Sequence, residues 1–215
     1  MNRGLLACSI VAVICALVLL SKFYGGDVEE YKLAHLKPGG QLSVRWGEHE
    51  LEISIPEGEG MSVGTFGIRD LRQEYQSGPV SRDGALESLW VADVTGDGRD
   101  DLVVVIRSVG SGSYAQVVLF EAQAEGYVGQ VLPDISSKLV PGYMGHDSVS
   151  VRSRRVFKSF PTYHRSTGVR VNQQWGVDEA IQGISPVTKG PDSNASLSGE
   201  TVWVFYDFES GEWRR

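Results

Sequence analysis

The sequence has almost no cysteine. Cys8 and Cys15 are the only two in 215 residues, and both lie in the apolar N-terminal stretch. The rest of the chain therefore carries no disulfide scaffold, thiol nucleophile or cysteine zinc site. There is no excess of positive charge either. Lys and Arg number 20 against 27 Asp and Glu, a net charge of −7. A general nucleic-acid binder needs a basic face to neutralise phosphates, so that class is set aside. His35, His49, His146 and His164 are the only histidines, and no two stand four residues apart as helical metal ligands do. No Gly-x-Ser-x-Gly stretch accompanies His146-Asp147, so half of a catalytic relay is present without a nucleophile motif. The four read as surface or turn histidines. No long amphipathic helix and no fixed-period repeat can be read after the first 25 residues.

Glycine, by contrast, is abundant at 26 residues, which points to many tight turns and hence to β structure. The N-terminus reads as a leader. Met1-Asn2-Arg3 is basic, and Leu5 to Leu20 is apolar except for Ser9. Ser21-Lys22-Phe23-Tyr24 follows with no small-x-small cleavage site. An uncleaved signal anchor over residues 1–25 is favoured over a cleaved signal peptide, leaving the body outside the inner membrane. Leu5-Leu6-Ala7-Cys8 resembles a lipoprotein box but comes before any apolar run. Both cysteines read simply as apolar residues. Arg3 and Lys22 are the only charges in this stretch, so the body is two charges more acidic than the whole chain.

Residues 26–40 are polar, end in Pro-Gly-Gly and read as a linker. The domain is expected over 41–215. Leu42, Val44 and Trp46, then Leu51, Ile53 and Ile55, alternate with polar residues, which is the period of strands. Gly47-Glu48-His49 between them suggests a hairpin. Val63–Leu71 and Leu86–Ala92 are further strands. Leu102–Ile106 is an unbroken, β-branched apolar run and should be a central strand covered on both faces. Val109-Gly-Ser-Gly-Ser113 interrupts it, and Tyr114–Glu121 resumes as a strand, making a second hairpin. Ser148–Val151 and Arg155–Phe160 can pair, and Thr201–Phe208 is a last strand. Residues 164–198 are polar and read as a long insertion; Asn194-Ala195-Ser196 within it fits a glycosylation triplet, discounted beside a bacterial-type leader. The fold class expected is all-β, an antiparallel sandwich or open barrel after one N-terminal hydrophobic helix.

Two constellations can carry chemistry. Asp93, Thr95, Asp97 and Asp101 present oxygens at alternating positions, with Gly98 at the sixth position for a sharp turn. Such a loop can wrap Ca²⁺, as in integrin-type propeller and dockerin-like loops; position twelve is Val104 rather than Glu. The alternative is a turn held by side-chain-to-backbone bonds. The second constellation is Ser111-Gly112-Ser113-Tyr114 at the hairpin tip. Two hydroxyls and a phenol can donate to carboxylates of another protein while bringing no charge, and Tyr is a favoured interface anchor.

The stretch from Val91 to Tyr114 joins an acidic Gly turn, an apolar strand and Arg107-Ser-Val-Gly-Ser-Gly-Ser-Tyr114. In this it resembles the periplasmic inhibitors of invertebrate-type (I-type) lysozyme. The resemblance covers about residues 63–135. It is weaker over 140–163, around Gly145-His146-Asp147 and Phe160-Pro161-x-Tyr163, and over 191–208, around Asp192-Ser-Asn-Ala; residues 164–190 look like an insertion beside it. It implies a β-sandwich with a protruding loop that enters the lysozyme cleft, without catalysis of its own. Ser111 and Tyr114 would bond the catalytic carboxylates, Gly112 would shape the loop that also contains Ser113, and Arg107 would support it or touch the target. It implies no required cofactor, an I-type lysozyme as partner and, in some members, a homodimer. The competing expectation is a calcium-stabilised envelope or adhesion module. An enzyme acting on envelope glycan has no motif in its favour.

Overall fold

A computed structural model describes residues 28–47, 49–136, 138–165 and 195–215. The leader, and most of the polar insertion, lie outside the described residues. In chain order the strands are β1 (Glu29–Lys32), β2 (Gln41–Trp46), β3 (His49–Ser54), β4 (Val63–Asp70) and β5 (Tyr75–Gln76). Then come β6 (Val80–Asp83), β7 (Ala85–Ala92), β8 (Asp101–Arg107), β9 (Ala115–Gln123) and β10 (Gly126–Val131). The last are β11 (Ser148–Arg152), β12 (Arg155–Arg165), β13 (Ala195–Asp207) and β14 (Glu212–Arg214). All pairings are antiparallel. Among the described residues there is no helix, and so none long and apolar enough to cross a membrane.

The strands form three sheets rather than the two layers of a simple sandwich. The middle sheet has the order β1-β7-β8-β9-β10. One outer sheet is β2-β3-β4-β5 with β6 also on β4, and the other is β11-β12-β13-β14. None of them closes into a barrel. The reason is visible in β8, whose first six residues, Asp101 to Ile106, are all buried. Successive side chains of a strand point to opposite faces. Leu102, Val104 and Ile106 enter one core, with Val118 and Phe120 of β9 and Leu51, Ile53, Phe66 and Ile68 of the first outer sheet. Val103, Val117 and Leu119 enter a second core with Val156, Phe160, Val202, Val204 and Trp213. A strand buried on both faces has no polar face to show, so its sequence reads as a continuous apolar run.

The hairpin read at Gly47–His49 is present, with Trp46 opposite His49. Ser148–Val151 and Arg155–Phe160 do pair. Three strands begin or end elsewhere than expected. The supposed linker 26–40 holds β1, which pairs with β7. Leu33 beside it is 1% exposed in the first core, so its apolar residues Tyr31, Leu33 and Leu36 outweigh its polar composition. The supposed insertion 164–198 is entered by β12 and left by β13, which begins at Ala195. The strand after the loop begins at Ala115, because the Tyr114 N–H bonds the Ser108 hydroxyl rather than a neighbouring strand.

Candidate functional site

The connection from β8 to β9 stands at one end of the middle sheet. Arg107 and Ala115 are the last pair in register. Beyond them the Ser108 N–H donates to the Tyr114 carbonyl at 2.9 Å, and the Tyr114 N–H donates to Ser108 Oγ at 2.9 Å. One side chain thus replaces a ladder bond and lets the strands part. The Ser113 N–H donates to the Gly110 carbonyl at 3.0 Å, closing a tight turn over Gly110–Ser113. Ser113 takes the left-handed φ of +44°, which costs a residue with a Cβ about 1–2 kcal/mol. The turn leaves Val109 70% exposed and Tyr114 45% exposed, with Ser111 also facing solvent.

Gly112 is required by Tyr114. A Cβ built on Gly112 would overlap Cε2 of that ring and lie 2.8 Å from Cδ2 and 3.0 Å from Cζ. Without it, the phenol lies back across the turn, its ring edge-to-face with Tyr143 at 5.7 Å. Burial, and next Asp147, push the Tyr114 phenol above its usual range. It stays a neutral donor at physiological pH.

Beneath the loop lies a charged network, half-buried at Arg107 and Glu87 and buried at Asp147 and Lys158. Arg107 Nε donates to Glu87 at 2.8 Å, while Nη1 donates to the carbonyls of Ser113 at 2.9 Å and Asp147 at 2.6 Å. Arg107 is therefore a clamp at the base of the loop. Asp147 Oδ2 accepts the Ala115 N–H at 2.9 Å and the Tyr143 hydroxyl at 2.8 Å. Lys158 Nζ stands 3.8 Å from that oxygen and donates to the Ala115 carbonyl at 2.6 Å. Its ammonium also sits over the Trp213 ring, 5.0 Å from the centroid. Burial lowers the Lys158 pKa, and the carboxylates of Asp147 and Asp134 oppose that shift. Burial, and then Asp147, raise Tyr143 well beyond the ordinary phenol range.

The chain thus brings Arg107, Ser111, Gly112, Ser113 and Tyr114 together, and adds Glu87, Tyr143, Gly145, Asp147 and Lys158. These additions come from β7, the β10–β11 connection and β12, so their proximity depends on tertiary packing. The one sequence signal was Gly145-His146-Asp147, read as a turn and half a relay. Asp147 is instead committed to the loop base, and His146 is exposed with its N–H on the Gly112 carbonyl.

The aspartate turn before β8 is built as a side-chain-held turn. Asp101 is fully buried, and its carboxylate accepts the N–H groups of Val94 and Thr95 at 3.0 Å each and of Ala122 at 2.9 Å. It also accepts the Thr95 hydroxyl at 3.1 Å. Asp93 accepts the N–H groups of Gly96 at 2.7 Å and Gly98 at 3.1 Å, and Asp97 accepts that of Arg99 at 2.9 Å. These oxygens serve backbone donors. Among the described residues no three His, Cys, Asp or Glu side chains gather as a metal site. In this arrangement Asp93, Asp97 and Asp101 accept the loop's own amides, which is the side-chain-held turn that the sequence offered beside the calcium loop of Asp93, Thr95, Asp97 and Asp101.

No curated protein and no solved structure matches the sequence. The hairpin, its loop and the aspartate turn all fall within residues 47–136, and that stretch, less than half of the chain, matches the family model described as periplasmic lysozyme inhibitor of I-type lysozyme.

Proposed function

We propose that this protein is a periplasmic inhibitor of I-type lysozyme that inserts the Ser111–Tyr114 loop into the enzyme's cleft and has no catalytic role of its own. The observation that carries the reading is an exposed, internally tied loop of neutral donors inside the matched region. Lysozyme chemistry needs one carboxylic acid and one carboxylate flanking the scissile bond. Ser111 and Tyr114 hydroxyls can donate to such groups without importing a charge that would have to be desolvated. Gly112 and Ser113 give the turn its shape, and Arg107 holds its base.

The rigidity of the loop matters because ordering a flexible segment on binding costs affinity. The chain's net charge of −7 favours encounter with a basic enzyme, an effect on association rate more than on affinity. The apolar leader, read as a signal anchor, would deliver the domain beyond the inner membrane.

The test is a titration of activity for I-type, chicken-type and goose-type lysozymes. Tyr114→Ala should weaken inhibition of the I-type enzyme by about 2 kcal/mol, roughly thirtyfold. Ser111→Ala together with Tyr114→Ala should weaken it further. Undiminished inhibition by the double variant would refute the loop mechanism.

A further inference from the structure

The loop does not hold its shape alone. Four kinds of contact reach it from one short stretch, Tyr143–Asp147, which lies outside residues 47–136. The His146 N–H donates to the Gly112 carbonyl at the tip, at 2.6 Å. Gly145 is buried against that same carbonyl at φ +86°, where a Cβ would overlap the Gly112 oxygen and stand 3.0 Å from Tyr114 Cδ1. The Tyr143 ring meets the Tyr114 ring edge-to-face, and is itself seated on Phe160 with centroids 4.5 Å apart. Asp147 holds both legs: its carboxylate takes the Ala115 N–H and its carbonyl takes Arg107 Nη1.

This arrangement is costly as mere structure. The side chains of Asp147 and Lys158 are 0% and 2% exposed. Asp147 Oδ1 is buried with no hydrogen-bond partner. His146 adopts φ +58°, unfavourable for a residue with a Cβ. Packing apolar residues there would stabilise the fold as well or better. What the charges and the strain accomplish is local: they fix an exposed loop that contributes almost nothing to either core.

We infer that Tyr143–Asp147 is the positioning element of the inhibitory loop, with Gly145 and Asp147 setting its shape before any partner arrives. The inference deepens the loop-insertion reading and takes its functional meaning from it. The residues act through the loop, so they are positioning residues rather than contacts with the target.

The experiment compares the wild-type full-length chain with Gly145→Ala and Tyr143→Phe. It reads three quantities: amide hydrogen exchange at Ser113 and Tyr114, inhibition of I-type lysozyme, and thermal midpoint. Gly145→Ala should speed exchange at both amides and weaken inhibition, each by roughly tenfold or more, and should lower the midpoint, because its Cβ is strained at φ +86°. Tyr143→Phe keeps the ring and removes only the hydroxyl on Asp147. It should move both readouts in the same direction by less, and it serves as the deciding variant if Gly145→Ala does not fold. Unchanged exchange at Ser113 and Tyr114 in a folded Gly145→Ala or Tyr143→Phe protein would overturn the inference. Failure of the wild-type protein to inhibit would count against the loop-insertion reading instead, while the exchange data would still decide whether this stretch orders the loop.

Discussion

Replacing Gly112 with Ala separates binding from folding. The φ of Gly112 is not in the left-handed region, so an L-residue is allowed there by its backbone. The nearest atoms to the new methyl all belong to the Tyr114 ring: it would overlap Cε2 and lie 2.8 Å from Cδ2. That ring is the end of a side chain 45% exposed, so it can swing outward without disturbing either core. The fold loses the edge contact between Tyr114 and Tyr143, worth about 1 kcal/mol. Inhibition should lose more, because the phenol leaves the position from which it donates: about 2 kcal/mol, roughly thirtyfold in the inhibition constant. A lysozyme titration beside a denaturant melt reads the two effects. A Gly112→Ala protein that inhibits like wild type would refute the claim that the ring must lie across the turn. A large loss of stability would refute the claim that the loop is energetically separate from the cores.

Other consequences follow from individual residues. Arg82 is 3% exposed and donates to the carbonyls of Gly60, Met61, Thr65 and Gly84; Arg82→Ala should cost about 3 kcal/mol in a urea melt, since it strands those acceptors. The aspartates of the turn before β8 are occupied by backbone donors, so the thermal midpoint should not move with added Ca²⁺ or with chelator; a rise of several degrees with Ca²⁺ would restore the cation site. Burial raises the phenols of Tyr127 and Tyr143 above the ordinary value of about 10. Above that pH the unfolded chain releases these protons while the folded chain keeps them, so stability should fall as pH rises, by up to about 1.4 kcal/mol per pH unit per group. Tyr143→Phe should make the decline shallower, as measured by denaturant melts from pH 9 to 11.

Much of the architecture was legible because it is local. Alternation in β2 and β3, and its absence in β8, follow from which faces are covered. The Ser/Gly interruption at 109–113 could only be a turn, so the loop was found from sequence. The number of layers was not legible. Val103 and Val104 look identical in sequence, and only the fold assigns one to each core. Residues 26–40 misled by composition, since three apolar side chains sufficed to seat β1 and Leu33. The supporting half of the site was hidden for a different reason. Asp147 and Lys158 are eleven residues apart in sequence and on separate elements, and become partners only when β12 packs beneath the hairpin. The aspartate turn shows the limit of motif spacing: alternating oxygens suit a cation or the loop's own amides equally well, and spacing alone does not show where the N–H groups point.

The most direct test of the central claim is whether this protein and a sugar compete for one cleft. Calorimetry should measure binding of the purified protein to I-type lysozyme with and without a saturating chitooligosaccharide that fills the enzyme's active site. Insertion of the Ser111–Tyr114 loop predicts binding that is lost, or weakened in proportion to the occupied fraction, when the sugar is present. Binding of equal strength to the sugar-filled enzyme would place the contact elsewhere and contradict the account.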